Sequence, residues 1–316
     1  MSENPYTNLP PEAYWRTGVA DLHPLEMQGL WKPKFPIPRN APIATAGSCF
    51  AQHISKAMQA RGYNWLDSEP APPVLSEKLR KAYNYGIFTF RTGNIYSAAL
   101  LDQWVRWALG HEEPPDLVFE DDGRFFDPFR PAIQPGGFDS RAAVLKARAD
   151  TLQAMAKALT EMKVLVFTLG LTEGWVDGKT GHVYPVCPGT IAGKFEPDRH
   201  EFRNWNFPDI MRSLTHAFDA IRVANPGARF LLTVSPVPLT ATASGKHVLV
   251  ATTYSKSVLR AVAGSISQSR KDTDYFPSYE IIAGAPYRAM FYDPNLRTVT
   301  PKGVEHVMSH FFGAFG

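Results

Sequence analysis

Only two cysteines, Cys49 and Cys187, occur in 316 residues, and they lie far apart. Two distant thiols make no disulfide framework, so a reducing interior and a cytoplasmic location are expected. Long apolar runs are missing as well: none approaches the ~20 residues that a bilayer-spanning helix needs. The opening stretch, Met1 to Asn8, has neither a positive segment nor an apolar core, so no signal peptide is expected. Charge of one sign is missing too, with 33 basic against 30 acidic side chains and no long basic run. That balance excludes the footprint of a nucleic-acid or polyanion binder. Metal-ligand sets are equally scarce. His306 and His310 have ligand-like spacing, but they fall opposite the apolar face of the closing helix with no further ligands nearby in sequence. No metal and no cofactor is expected, and nothing bears on the oligomeric state.

What remains is a globular mixture, 44% hydrophobic and 20% charged, long enough for one large α/β domain or two small ones. Residues 1–40 are rich in Pro, Tyr and Trp with little periodicity, which predicts an extended arm anchored by aromatic rings. Residues 41–316 then alternate strand and helix. Lys163–Gly170 and Arg229–Pro236 are continuous apolar runs, the mark of strands buried on both faces of a parallel sheet. Asp274–Glu280 reads as a last strand. Helices are expected from Ala51, over Leu100–Leu109, from Ser140 to about Met162, from Pro208 to before Pro226, over Tyr254–Ile266 and from Pro301. The stretches near 111–138 and 176–206 read as a hairpin insertion and a loop-rich excursion that cap the site. The pattern predicts a three-layer α/β/α sandwich around a mainly parallel sheet.

One stretch organises the rest: Ile43-Ala-Thr-Ala-Gly-Ser-Cys-Phe-Ala-Gln-His-Ile54. It begins as an apolar strand, breaks at Gly47, and restarts with Ala51, Ile54, Ala57 and Met58 on one helical face. Ser48 therefore sits where a strand hands over to a helix, where backbone N–H groups lack partners and the helix dipole favours developing negative charge. Such a hydroxyl has half of an oxyanion hole around it. Gly47-Ser48 read as a plain turn with a serine N-cap is the alternative. Gly47-Ser48-Cys49-Phe50-Ala51 spells the motif of the GSCFA family, which this chain resembles and which looks like a divergent branch of the SGNH (GDSL-type) hydrolases. The resemblance implies a flavodoxin-like, SGNH-type sheet and assigns the nucleophile to Ser48. Cys49 reads as a core thiol.

In an open parallel sheet, ligands bind beyond the carboxyl ends of the strands. Leu169-Gly170-Leu-Thr172-Glu173 stands where SGNH enzymes carry Gly-x-Asn, so Thr172 takes the slot of the oxyanion donor beside Gly170, with Glu173 following as a capping or acidic group. Asn94, in Gly93-Asn94-Ile-Tyr96, is a rival donor, and Gly86 or Gly93 stands for the backbone N–H of the superfamily's second block. The last block departs from the pattern. Where Asp-x-x-His is normal, Asn295-Leu-Arg297-Thr298 puts Asn and Thr, and threonine is no base near neutral pH. His247, in a small-residue loop after a core strand, is the expected replacement base, with Asp293, Glu280 or Glu173 as its orienting acid. His53 is expected to point away from Ser48.

Together these readings imply a serine esterase or acyltransferase that acts on a short-chain acyl ester, with carbohydrate as a candidate carrier, through an acyl-enzyme on Ser48. The alternative is a catalytically degenerate protein of the same fold that uses Ser48, Arg297 and Lys246 to hold a sugar or small anionic ligand.

Overall fold

A computed structural model describes residues 4–315. Four parallel strands form the central sheet in the order β1 (Ile43–Gly47), β4 (Val164–Leu169), β8 (Arg229–Val234), β9 (Thr273–Phe276). The strands between them in sequence belong elsewhere: β2 (Phe119–Asp121) and β3 (Arg124–Phe126) form a hairpin, and β5 (Glu173–Asp177), β6 (Val183–Tyr184) and β7 (His200–Asn204) a small antiparallel sheet. One parallel bridge, Ile43 to Trp65, lies outside the named strands on the other edge of β1. The chain thus visits one side of β1 before crossing to β4 on the other, as in a flavodoxin-like order, and the switch point falls between β1 and β4.

Helices cover both faces, giving a three-layer α/β/α sandwich. Alternate residues of the buried strands explain why. Ala44, Ala46, Leu165, Phe167, Leu169, Phe230 and Leu232 face one core. It is shared with α3 (Ala98–Ala108), α4 (Arg141–Glu161), α5 (Phe207–Ala224) and α6 (Val248–Ser269). Ile43, Val164, Val166, Leu231 and Phe276 face the other core, shared with α1 (Ala51–Ala60), α7 (Ser278–Ala283) and α8 (Pro301–Gly313). A short helix α2 (Glu77–Ala82) sits outside both cores. Strands apolar on both faces have nowhere else to go, because each face must be removed from water. Met27, Phe35 and Ile37 of the N-terminal stretch are buried in the second core, and Trp31 stacks on Phe311, 5.6 Å between ring centroids.

Several boundaries differ from the sequence reading. The last strand stops at Phe276, because Pro277 has no N–H for a ladder and instead opens α7, so Glu280 is helical. The excursion at 176–206 is not loop alone, since β5, β6 and β7 pair within it. Helix α6 starts at Val248, six residues earlier than its apolar stripe, with His247 as its N-cap. The hairpin expected near 111–138 is present, turning on Asp122 and Gly123, whose positive φ of 47° and 72° suits a tight two-residue turn.

Candidate functional site

At the carboxyl end of β1 the chain needs a glycine. Gly47 has φ of 135°, and a Cβ there would lie 2.5 Å from the carbonyl oxygen of Thr168 on the neighbouring strand. That close approach lets Ser48 N–H donate to Thr168 O at 3.1 Å and sets the Ser48 side chain over the end of the sheet. Gly170, at the end of β4, is small for a related reason: a Cβ would meet Tyr96 O at 2.9 Å and Ser48 Cβ at 3.1 Å. The 93–96 turn is stitched to both strands. Ile95 N–H donates to Gly47 O, and the N–H groups of Gly170 and Leu171 donate to Tyr96 O.

These strand ends floor a cleft of about 630 Å³, lined among others by Ser48, Cys49, Tyr96, Gly170, Glu173 and Arg297. Ser48 is 2% exposed and its Oγ has no hydrogen-bond partner. Such an orphaned buried hydroxyl calls for an explanation, since burial without a partner costs about 1–3 kcal/mol. Cys49, expected in the core, is instead only half-buried on the cleft wall.

Glu173 is buried and its Oε1 accepts from Thr242 Oγ1 at 2.7 Å. Thr172 is beside the cleft but turned away. Its hydroxyl donates to Asn204 Oδ1 at 2.7 Å, and its N–H goes to Ser255 Oγ. Gly93 and Asn94 line a smaller neighbouring cavity of about 110 Å³ that shares Tyr96 with the cleft. Gly86 makes a positive-φ turn and lines neither cavity. Two oxyanion expectations therefore change. The N–H of Ser48 is already bonded to Thr168 O in the sheet, and that of Gly170 to Tyr96 O in the neighbouring turn. Among the described residues, the N–H groups of Cys49 and Phe50, just before α1, meet no acceptor.

Among the described residues no histidine lines the cleft. His247 is exposed, and its Nδ1 accepts from Leu249 N–H at 3.2 Å as the cap of α6. The structure does not bring it to Ser48, because the loop reaches the cleft only as far as Ala243 before turning into the helix. Its expected acids are spread apart as well. Glu280 is ion-paired with Arg260 and accepts from Tyr275 OH at 2.7 Å. Asp293 is half-buried in a turn whose N–H donates to Thr298 O, and it does not line the cleft. His53 packs on Phe50 and opens on a different groove, beside α8. His306 and His310 are half-buried rather than solvated, His306 stacking on Phe291 at 4.9 Å. Among the described residues no group of three or more His, Cys, Asp or Glu is arranged to hold a metal.

The reading missed Lys256. It is 2% exposed on α6 and donates from Nζ to Gly170 O at 2.6 Å. Burial is the main reason that its pKa falls to about 7; the Cys49 thiol opposes the shift and Arg297 adds to it. The signal was present in the sequence. Lys256 falls in register with Leu259, Val262, Ala263 and Ile266 on the buried stripe, where a lysine is out of place unless it has a task. Tyr96 is likewise perturbed, pushed up to about 12 chiefly by burial and by Cys49, with Arg297 opposing.

A family model described as the GSCFA family matches residues 42–311. No curated protein and no solved structure matches the chain.

Proposed function

The chain belongs to the GSCFA family, and from that premise we propose that it is a serine-dependent hydrolase or acyltransferase for short acyl esters, with Ser48 as nucleophile. One observation carries the reading: Ser48 Oγ is buried, unpartnered and set at a strand–helix turn on the floor of the cleft. The flavodoxin-like strand order, with the site at its switch point, supports a relation to the SGNH hydrolases.

In this reading Ser48 Oγ attacks the acyl carbonyl carbon and its proton passes to Lys256. A lysine with its pKa near 7 is neutral often enough to accept a proton at neutral pH, and Ser–Lys pairs are a known solution to this chemistry. In the free protein Ser48 Oγ has no hydrogen-bond partner and Lys256 Nζ is held by Gly170 O, so in this reading the contact between them forms only when substrate binds. The negative charge that develops on the carbonyl oxygen is met by the free N–H groups of Cys49 and Phe50 at the positive end of α1. Collapse breaks the bond to the carrier alcohol, which leaves with the proton from Lys256. Water or a second alcohol then takes the acyl group from Ser48 by the reverse steps. Trp175 and Phe202, 5.7 Å apart on the cleft wall, offer ring faces that suit a sugar carrier.

A binding-only protein is the second reading. The observation in its favour is that Asn295 and Thr298, in the slots of the acid and histidine, bond to each other at 2.8 Å. A fluorophosphonate probe separates the two. Covalent labelling of the wild type at Ser48, mapped by mass spectrometry and absent in Ser48→Ala, is the expected result. An unlabelled wild type, or a label on Cys49, would overturn the serine nucleophile.

A further inference from the structure

The cleft holds a guanidinium that the protein leaves uncompensated. Arg297 stands in the turn before α8, where Asn295 Oδ1 accepts from the N–H groups of Arg297 and Thr298, each at 2.9 Å. That turn points the Arg297 side chain into the cleft wall. Its Nε is buried without a partner, and among the described residues its guanidinium makes no hydrogen bond and no ion pair. Two fully buried guanidiniums are treated differently: Arg130 and Arg148 are both paired with the carboxylate of Asp127.

The surroundings share the sign. Lys256, behind Gly170, gives its Nζ to a backbone carbonyl rather than to a carboxylate, and Arg297 repels its charged form. The amino end of α1 adds the unpaired N–H groups of Cys49 and Phe50. Among the described residues Glu173 is the one acidic side chain lining the cleft, and it accepts from the Thr242 hydroxyl. A partly desolvated guanidinium that pairs with no carboxylate, Glu173 included, is built for a ligand that brings the counter-charge. The planar fork of a guanidinium matches the paired oxygens of a carboxylate or phosphate.

We infer that the substrate of the Ser48 cleft carries an oxyanion group, a carboxylate or a phosphate, and that Arg297 receives it. The inference rests on the reading of Ser48 as nucleophile for the word substrate, but the anion site itself is testable alone. A neutral ester, 4-nitrophenyl acetate, and an anionic one, mono-4-nitrophenyl succinate, are compared on the full chain. The wild type is expected to prefer the anionic ester by ~10-fold or more in kcat/KM, and Arg297→Gln to bring that ratio to about one. Equal losses on both esters in the variant, or no preference in the wild type, would overturn it. Calorimetric titration of Ser48→Ala with succinate and with inorganic phosphate gives the second arm. Binding of either, lost on adding Arg297→Gln, supports the site, and the tighter of the two identifies the group. Anion binding without hydrolysis of any ester removes the nucleophile and keeps the site. Hydrolysis with neither anion preference nor binding removes the site alone.

Discussion

Lys256 donates to the carbonyl of Gly170 at 2.6 Å, and Gly170 in turn lies so close to Ser48 that a Cβ on it would stand 3.1 Å from Ser48 Cβ. A buried amine is therefore one residue away from the Ser48 hydroxyl, joined to it through a glycine that admits no side chain.

That relationship fixes a pH dependence. The folded pKa of Lys256, about 7, lies below the ordinary value of 10.5. Between these values the unfolded chain holds the proton and the folded chain does not, so the lysine makes stability rise with pH across that window. Lys256→Met should flatten the rise, so that the variant gains on the wild type at pH 6 and loses that gain at pH 10. Urea midpoints at the two pH values measure this, and parallel curves would show that the lysine pKa is the same in the folded and unfolded chain. Labelling of Ser48 by a fluorophosphonate should rise through about pH 7 in the wild type. In the variant it should be slow, without that inflection.

Gly47→Ala should unfold or strongly destabilise the protein. The φ of 135° costs a side chain about 1–3 kcal/mol in strain, and the Thr168 backbone at 2.5 Å cannot give way without parting β1 from β4. Chemical denaturation gives the loss directly. A melting point within a degree of the wild type would mean that the strand end is more pliant than its packing implies.

His247→Ala should be mild. It removes the side-chain acceptor for Leu249 N–H at the start of a 22-residue helix, and loss of such a cap costs about 0.5–2 kcal/mol. The rate of Ser48 labelling should not change, because the imidazole faces solvent and not the cleft. A labelling rate lowered tenfold or more would return His247 to the mechanism.

Much of this was legible beforehand in particular residues. The apolar runs at Val164–Leu169 and Arg229–Val234 could only be strands covered on both sides, and the glycine–serine break after Ile43 could only end a strand. Of the expected site residues, the structure brings Ser48, Gly170, Glu173 and Arg297 to one cleft. The place of His247 was not legible, because a loop's reach depends on where the next helix begins. That helix begins at Val248 on an imidazole cap which the periodicity of Leu259 and Ile266 does not reveal. Thr172 was placed in the right loop, but Asn204 of β7, far along the chain, takes its hydroxyl.

The division has a physical cause. The sequence by itself determined the layers, the parallel sheet and the turn that presents Ser48, since these follow from local periodicity, backbone sterics at glycine, and the removal of apolar faces from water. Only the tertiary structure decided which charges stand around that serine. Lys256, Arg297 and Gly170 come from three distant segments, and a pKa or an unpaired guanidinium depends on the burial and the neighbours that folding alone supplies.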